Sequence, residues 1–212
     1  MCSILGIFGL APGDDLPRLR RDALALSRRQ RHRGPDWSGV HADPGAILVH
    51  ERLAIVDPAG GAQPILSGDG RHVLAVNGEI YNHRELQTGL SAPHDFQTGS
   101  DCEVINALYA QDDDIGGWLG RLNGIFAFAL WDRERGRHLI ARDPIGVCPL
   151  YWGHDDHGRM WVASEMKALV GVCNDVAQFP RMNTESPISS GICSAARFVM
   201  TRKNPPAPYH DR

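Results

Sequence analysis

Three observations predict an α+β fold in which helices pack on largely antiparallel sheets. Short apolar runs outnumber helical stretches, tight-turn signals separate them, and no regular strand–helix–strand alternation is present. The candidate strands are Ser3–Gly9, Ala46–His50, Val73–Val76, Ile125–Trp131, His138–Arg142, Leu150–Trp152 and Met160–Ser164. Asp43-Pro44-Gly45, Gly68-Asp69-Gly70, Arg135-Gly136 and His157-Gly158 supply the turns. Strands joined by turns this short pair antiparallel. Two helices are predicted. Leu16, Leu19, Ala23 and Leu26 recur at helical spacing after an acidic, proline-containing start. The second opens on Ser100-Asp101-Cys102-Glu103, a Ser-x-x-Glu capping box, with Val104, Ile105 and Leu108 as its buried face.

A length of 212 residues fits one domain, or one domain plus a tail, and 42% hydrophobic residues suffice for a sizeable core. The formal net charge of -3 argues against a nucleic-acid or lipid surface. The five cysteines are scattered without a Cys-x-x-Cys pair and read as reduced thiols, not as a disulfide frame or zinc site. No apolar run reaches transmembrane length. Ile4–Ala11 lacks the preceding basic residue of a signal peptide, so a cytoplasmic location is expected. Composition changes near Pro180. Residues 181–212 are rich in Ser, Asn, Thr and Pro without apolar periodicity, and are expected to form a poorly ordered tail.

Cys2 is the first candidate for chemistry. Removal of Met1 would leave a thiol and a free α-amine on one carbon, an arrangement that serves nucleophilic catalysis. The bland alternative is a small hydrophobe in an apolar strand. Asn77-Gly78 alone reads as a two-residue hairpin turn. The same pair also offers a side-chain amide and an open backbone N–H, two neutral donors suited to an oxyanion. Arg52 suits bidentate capture of a carboxylate, or equally a surface salt bridge. Asp101 sits in the first turn of the capped helix, where it complements the dipole or binds a cationic group. Arg28–Arg33 reads as a solvated helix end and His154–Gly158 as a hairpin turn. Asp112-Asp113-Asp114 lacks the alternation of a calcium loop, and no metal site is expected. Walker-type, Gly-x-Ser-x-Gly and His-Glu-x-x-His motifs are absent.

Together these residues resemble the glutaminase domain of class II glutamine amidotransferases, within the N-terminal-nucleophile hydrolases, and most closely the asparagine synthetase branch. The matching stretches are Met1-Cys2-Ser3-Ile4, Arg31-His32-Arg33-Gly34-Pro35-Asp36, His50-Glu51-Arg52-Leu53, Gly61-Ala62-Gln63-Pro64, Val76–Asn82, Gly99–Glu103, Arg142–Gly146 and Ser164–Leu169. They run in the family's order up to about Pro180.

The resemblance implies a four-layer αββα sandwich over residues 2–180. It implies Cys2 as nucleophile, Asn77 and Gly78 at the oxyanion hole, Arg52 on the glutamine carboxylate, and Glu79 and Asp101 around its amine. It implies L-glutamine as substrate, without a cofactor, and hydrolysis to glutamate and ammonia through a Cys2 thioester. ATP and Mg belong to a synthetase domain that is expected to be absent here. The chain is thus expected to be truncated and uncoupled from ATP-dependent aspartate amidation, unless a separate synthetase domain or subunit takes the ammonia. Two alternatives stay open: a non-catalytic, glutamine-binding remnant, and the glutaminase domain of another class II amidotransferase.

Overall fold

The computed structural model describes residues 1–55, 57, 59–180 and the backbone of 199–203. Its elements in chain order are β1 (Ser3–Phe8), α1 (Leu16–Ser27), β2 (Trp37–Ala42), β3 (Ala46–Arg52), β4 (Ile65–Leu66), β5 (His72–Ile80), α2 (His83–Thr88), α3 (Val104–Gln111), α4 (Ile115–Arg121), β6 (Gly124–Asp132), β7 (Arg137–Arg142), β8 (Tyr151–His154), β9 (Met160–Ala163), β10 (Ala177–Gln178) and β11 (Val199–Lys203). One sheet has the order β10-β8-β9-β1-β3-β2 and the other β11-β7-β6-β5-β4. Every strand pair is antiparallel.

Period-two alternation along four strands builds three cores. Ile4 and Phe8 of β1, Ala46 and Leu48 of β3, Val73 and Ala75 of β5, and Ala127, Ala129 and Trp131 of β6 meet between the sheets. Their odd or even neighbours face outward. Leu5, Ile7, Ile47 and Val49 pack under Leu19, Ala23 and Leu26 of α1. Leu74, Val76, Phe126, Phe128 and Leu130 pack under Leu86, Val104, Ile105, Leu108 and Trp118 of α2–α4. The layers are therefore helix, sheet, sheet, helix, the predicted four-layer sandwich. Apolar residues on both faces explain why these strands read as continuous apolar runs.

The structure differs from the expectations in several places. Asn77-Gly78 is not a hairpin turn: β5 runs straight through it, with Asn77 opposite Ala127 and Gly78 opposite Phe126. The long pairing with β6 overrides the local turn preference. The capping box forms only by half. Ser100 Oγ accepts the Cys102 N–H at 3.3 Å. Glu103 turns instead to the preceding loop, accepting the Gln97 N–H at 2.6 Å and the Thr98 N–H at 2.7 Å. A short 3-10 turn, Asp101–Glu103, thus precedes α3. Short elements without strong periodicity, namely β2, β4, β10, α2 and α4, went unpredicted. Within the expected tail, residues 199–203 pair with β7 as an edge strand, satisfying backbone groups that would otherwise stay open. Residues 181–198 and 204–212 lie outside the described residues.

Candidate active site

The inter-sheet face that carries Ile4, Leu48 and Ala75 continues, two residues at a time, to Cys2 just before β1, to His50 and Arg52 on β3, and to Asn77 and Glu79 on β5. At this end the sandwich opens into a cleft lined by Cys2, Arg52, Gln63, Gly78, Glu79 and Asp101, among others. The structure therefore gathers the sequence candidates from three strands and one turn. Asn77 lies just beneath, fully buried at 0% exposure and not on the cleft wall itself.

Several contacts hold Cys2 in place. Its Sγ accepts the Leu53 N–H at 3.3 Å and lies 3.6 Å from the Leu53 carbonyl, to which the thiol donates. Arg33 Nε donates to the Cys2 carbonyl at 3.1 Å. Gly34 lets the Arg31–Asp36 segment press against β3, since a Cβ there would sit 2.2 Å from the Glu51 carbonyl oxygen. Glu51, buried on the opposite face of β3, accepts from Ser27 Oγ at 2.8 Å and Ser38 Oγ at 2.6 Å, tying the end of α1 and β2 to the same strand. The basic run thus splits. Arg28, Arg29 and Arg31 are exposed as expected, while Gln30 is buried and Arg33 braces the cysteine.

Burial pushes the Cys2 thiol above its usual range, against the opposing pull of the Leu53 N–H, the chain's amino terminus and Arg52. The resting sulfur is therefore protonated at neutral pH and needs a base to become a nucleophile. Arg52 is 8% exposed and donates to the Asp57 carbonyl. Asp57 in turn accepts the Gly60 N–H at 3.0 Å and the Gly99 N–H at 2.9 Å, joining two loops at the rim.

The open edge of β5 shapes the rest. β4 reaches only Leu74 and Val73, so beyond it this edge has no strand partner among the described residues. The ladder alternation turns the backbone groups of Val76, Gly78 and Ile80 toward that edge. Side chains take them up. The Val76 N–H donates to Gln63 Oε1 at 2.7 Å, and Ile80 N–H donates to Asp101 Oδ2 at 2.6 Å. Cys102 Sγ donates to the Gly78 carbonyl at 3.5 Å. The Gly78 N–H faces the cleft by the same alternation. Both polar atoms of the Asn77 side chain are buried and have no hydrogen-bond partner among the described residues. A buried amide without such a partner is costly.

Glu79 stands exposed at the rim and Asp101 is 8% exposed at the wall. Sequence reasoning assigned no site role to His50, Gln63, Arg33 or Cys102, and placed Arg33 on a solvated helix end. The alternation through Leu48 and Arg52 was a signal for His50. Gln63 and Cys102 had none, because the β5 edge they serve is remote in sequence. His154–Gly158 joins β8 to β9 as the expected hairpin, with Gly158 at φ +73°. No group of three or more metal-ligating side chains occurs among the described residues.

Two stacked antiparallel sheets flanked by helices, with a near-terminal cysteine at their mouth, define the class of N-terminal-nucleophile amidotransferases. The chain belongs to the glutamine amidotransferase domain family, which it matches over residues 1–200. It is 55% identical to asparagine synthetase B (glutamine-hydrolyzing) of Escherichia coli strain K12 over 180 residues, covering 85% of this chain and 32% of that protein. Asparagine synthetase (glutamine-hydrolyzing) 2 of Oryza sativa subsp. japonica is 46% identical over 192 residues, covering 91% and 32%. The chain spans about a third of the length of these relatives. Among solved structures, the allosteric regulatory enzyme of purine biosynthesis aligns with a TM-score of 0.66 at 26% identity, covering 84% of this chain and 44% of that one. Glutamine phosphoribosylpyrophosphate amidotransferase from B. subtilis shares the fold, with a TM-score of 0.67 at 20% identity over 96% of this chain and 49% of that one. The chain is thus a glutamine amidotransferase domain of the type found in asparagine synthetases. Among the described residues, no helix is long and apolar enough to cross a membrane.

Proposed function

We propose that residues 2–180 form a glutaminase domain that hydrolyses the side-chain amide of L-glutamine, with Cys2 as nucleophile after removal of Met1. The carrying observation is the convergence of Cys2, Arg52, Gly78 and Asp101 on one cleft above the unpartnered Asn77 amide. Arg52 pairs with the α-carboxylate, while Asp101 and Glu79 take the α-ammonium. The freed α-amine of Cys2 takes the thiol proton as sulfur attacks the amide carbon. The Asn77 side-chain amide and the Gly78 N–H receive the oxyanion. The tetrahedral species collapses, the C–N bond breaks, and the amine returns its proton to the departing nitrogen, which leaves as ammonia. Water then attacks the thioester, giving the amine one proton, which passes to the Cys2 sulfur as glutamate leaves. Glutamine and water become glutamate and ammonia, with the thiol restored.

In this reading the glutaminase step uses no metal and no nucleotide. ATP and Mg serve the amidation of aspartate, carried out by a synthetase domain or subunit that receives the ammonia. The test is a glutaminase assay of the chain with its N-terminal residue verified by mass, beside Cys2→Ala. Cys2-dependent release of equal glutamate and ammonia is expected. A mature, folded chain that binds glutamine without releasing ammonia would establish the non-catalytic reading instead.

A further inference from the structure

We infer that His50 is a positioning residue for glutamine hydrolysis, tying the sheet that carries Cys2 to the strand that carries Asn77 and Gly78. The inference rests on the glutaminase reading above. His50 is fully buried at 0% exposure and faces the opposite sheet from β3, the strand beside β1 in the nucleophile's own sheet. It lies opposite Ile4 in the β1–β3 register, two residues from Cys2 on one strand and two from Arg52 on the other. Its Nε2 is 3.0 Å from the Val76 carbonyl. A carbonyl only accepts, so Nε2 carries the proton.

That carbonyl belongs to the peptide joining Val76 to Asn77. Three other ties to the open β5 edge come from Gln63, Cys102 and Asp101. Those residues lie in the segment before β4 and the turn before α3. His50 alone among these four reaches across from the sheet bearing Cys2. The Asn77 amide has no partner of its own among the described residues. Its distance from the Cys2 sulfur is therefore inherited from its backbone, which His50 holds one residue away. Burial, helped by the nearby Arg52 charge, pushes the imidazole down to about 4, so the strut works as a neutral donor across the physiological range.

The test compares His50→Gln with His50→Asn. Both are polar and similar in size, but only the glutamine amide reaches as far as Nε2. Misplacement of reacting groups by about 1 Å costs about 100-fold in rate. We expect His50→Asn to lower kcat by about 10–100-fold with KM for glutamine little changed, and His50→Gln to recover most of the loss. A purely structural role would lower melting temperature in both variants without this split. Equal kcat in the two variants, or a loss confined to KM, would overturn the inference. Wild type and Cys2→Ala run alongside keep the two readings apart: absence of Cys2-dependent turnover in wild type removes the glutaminase reading, whereas normal wild-type turnover with equal variants removes only the role of His50.

Discussion

At the scale of single residues, what separates Cys2 from the other described cysteines is electrostatic surroundings. Burial pushes Cys148 and Cys173 to about 12, and Cys102 well above its usual range beside the Asp101 carboxylate. Cys2 alone among them has a backbone N–H donor, that of Leu53, pulling the other way, in addition to the amino terminus and an arginine; the amino terminus and arginines pull on Cys148 as well. A thiol-reactive glutamine analogue is therefore expected to label Cys2 and spare Cys102, Cys148 and Cys173, as peptide mapping would show. Comparable labelling elsewhere would count against a terminal nucleophile. Asn77→Ala removes a donor that matters as charge develops on oxygen. It should lower kcat by roughly 2.7–4 kcal/mol of transition-state stabilisation. A change in KM alone would make Asn77 a ground-state contact. His50 makes a separate prediction about pH. Its folded value of about 4 lies below the ordinary 6.5, so between these values the unfolded chain takes up a proton that the folded one refuses. Stability contributed by the neutral ring is complete above pH 6.5 and is lost as pH falls toward 4. The loss is on the order of 3 kcal/mol. Urea midpoints at pH 7.5 and pH 5 should diverge less in His50→Gln than in wild type. His72, also lowered by burial, adds a drop of the same sign in both proteins.

At the scale of elements, β5 decides the site. It is a strand on one edge, paired with β6 along its length, and a scaffold for side chains on the other beyond β4. Gly78 makes both possible, because a Cβ there would sit 2.1 Å from the Ile125 carbonyl oxygen. Gly78→Ala must push β5 away from β6 just where the donors sit. It is expected to cost at least about 2–3 kcal/mol in urea unfolding and to abolish turnover. A Gly78→Ala chain as stable and as active as wild type would mean that the close approach is not needed. The 3-10 turn before α3 completes the edge. Ser100 caps it, and Asp101 spends one carboxylate oxygen on the Ile80 N–H. The proposed contact of Asp101 with the substrate ammonium therefore falls to the other oxygen.

At the scale of the whole molecule, the sandwich places chemistry where two sheets part. Every proposed glutaminase residue lies between Cys2 and Asp101, in the cleft or directly beneath it. Glutamine hydrolysis by this chain is accordingly expected to be unchanged by EDTA, by ATP with Mg, and by aspartate. Parallel ammonia assays with each addition check this. Acceleration by ATP and aspartate, or loss on chelation, would contradict the proposed division of labour. At the far side of the second sheet, β11 pairs with β7 as the edge strand.

The fold class, the seven main strands and the first helix were legible in the sequence, since each is a local pattern. Apolar runs separated by tight turns specify antiparallel strands, whereas the stacking of two sheets was implied only by the resemblance to class II amidotransferases. Cys2, Arg52, Asn77, Gly78 and Asp101 were legible as candidates because their chemistry belongs to residue type and short motif, and Glu79 was added by the resemblance alone. Tertiary structure alone decided how they combine. It turned Asn77-Gly78 from a hairpin into mid-strand, since nine residue pairs with β6 outweigh a two-residue turn preference. It also recruited His50, Gln63 and Cys102, whose partners on β5 lie 26, 13 and 24 residues away. Local sequence encodes what a backbone group prefers, but which side chain satisfies it depends on what the folded sheets bring within 3 Å or so.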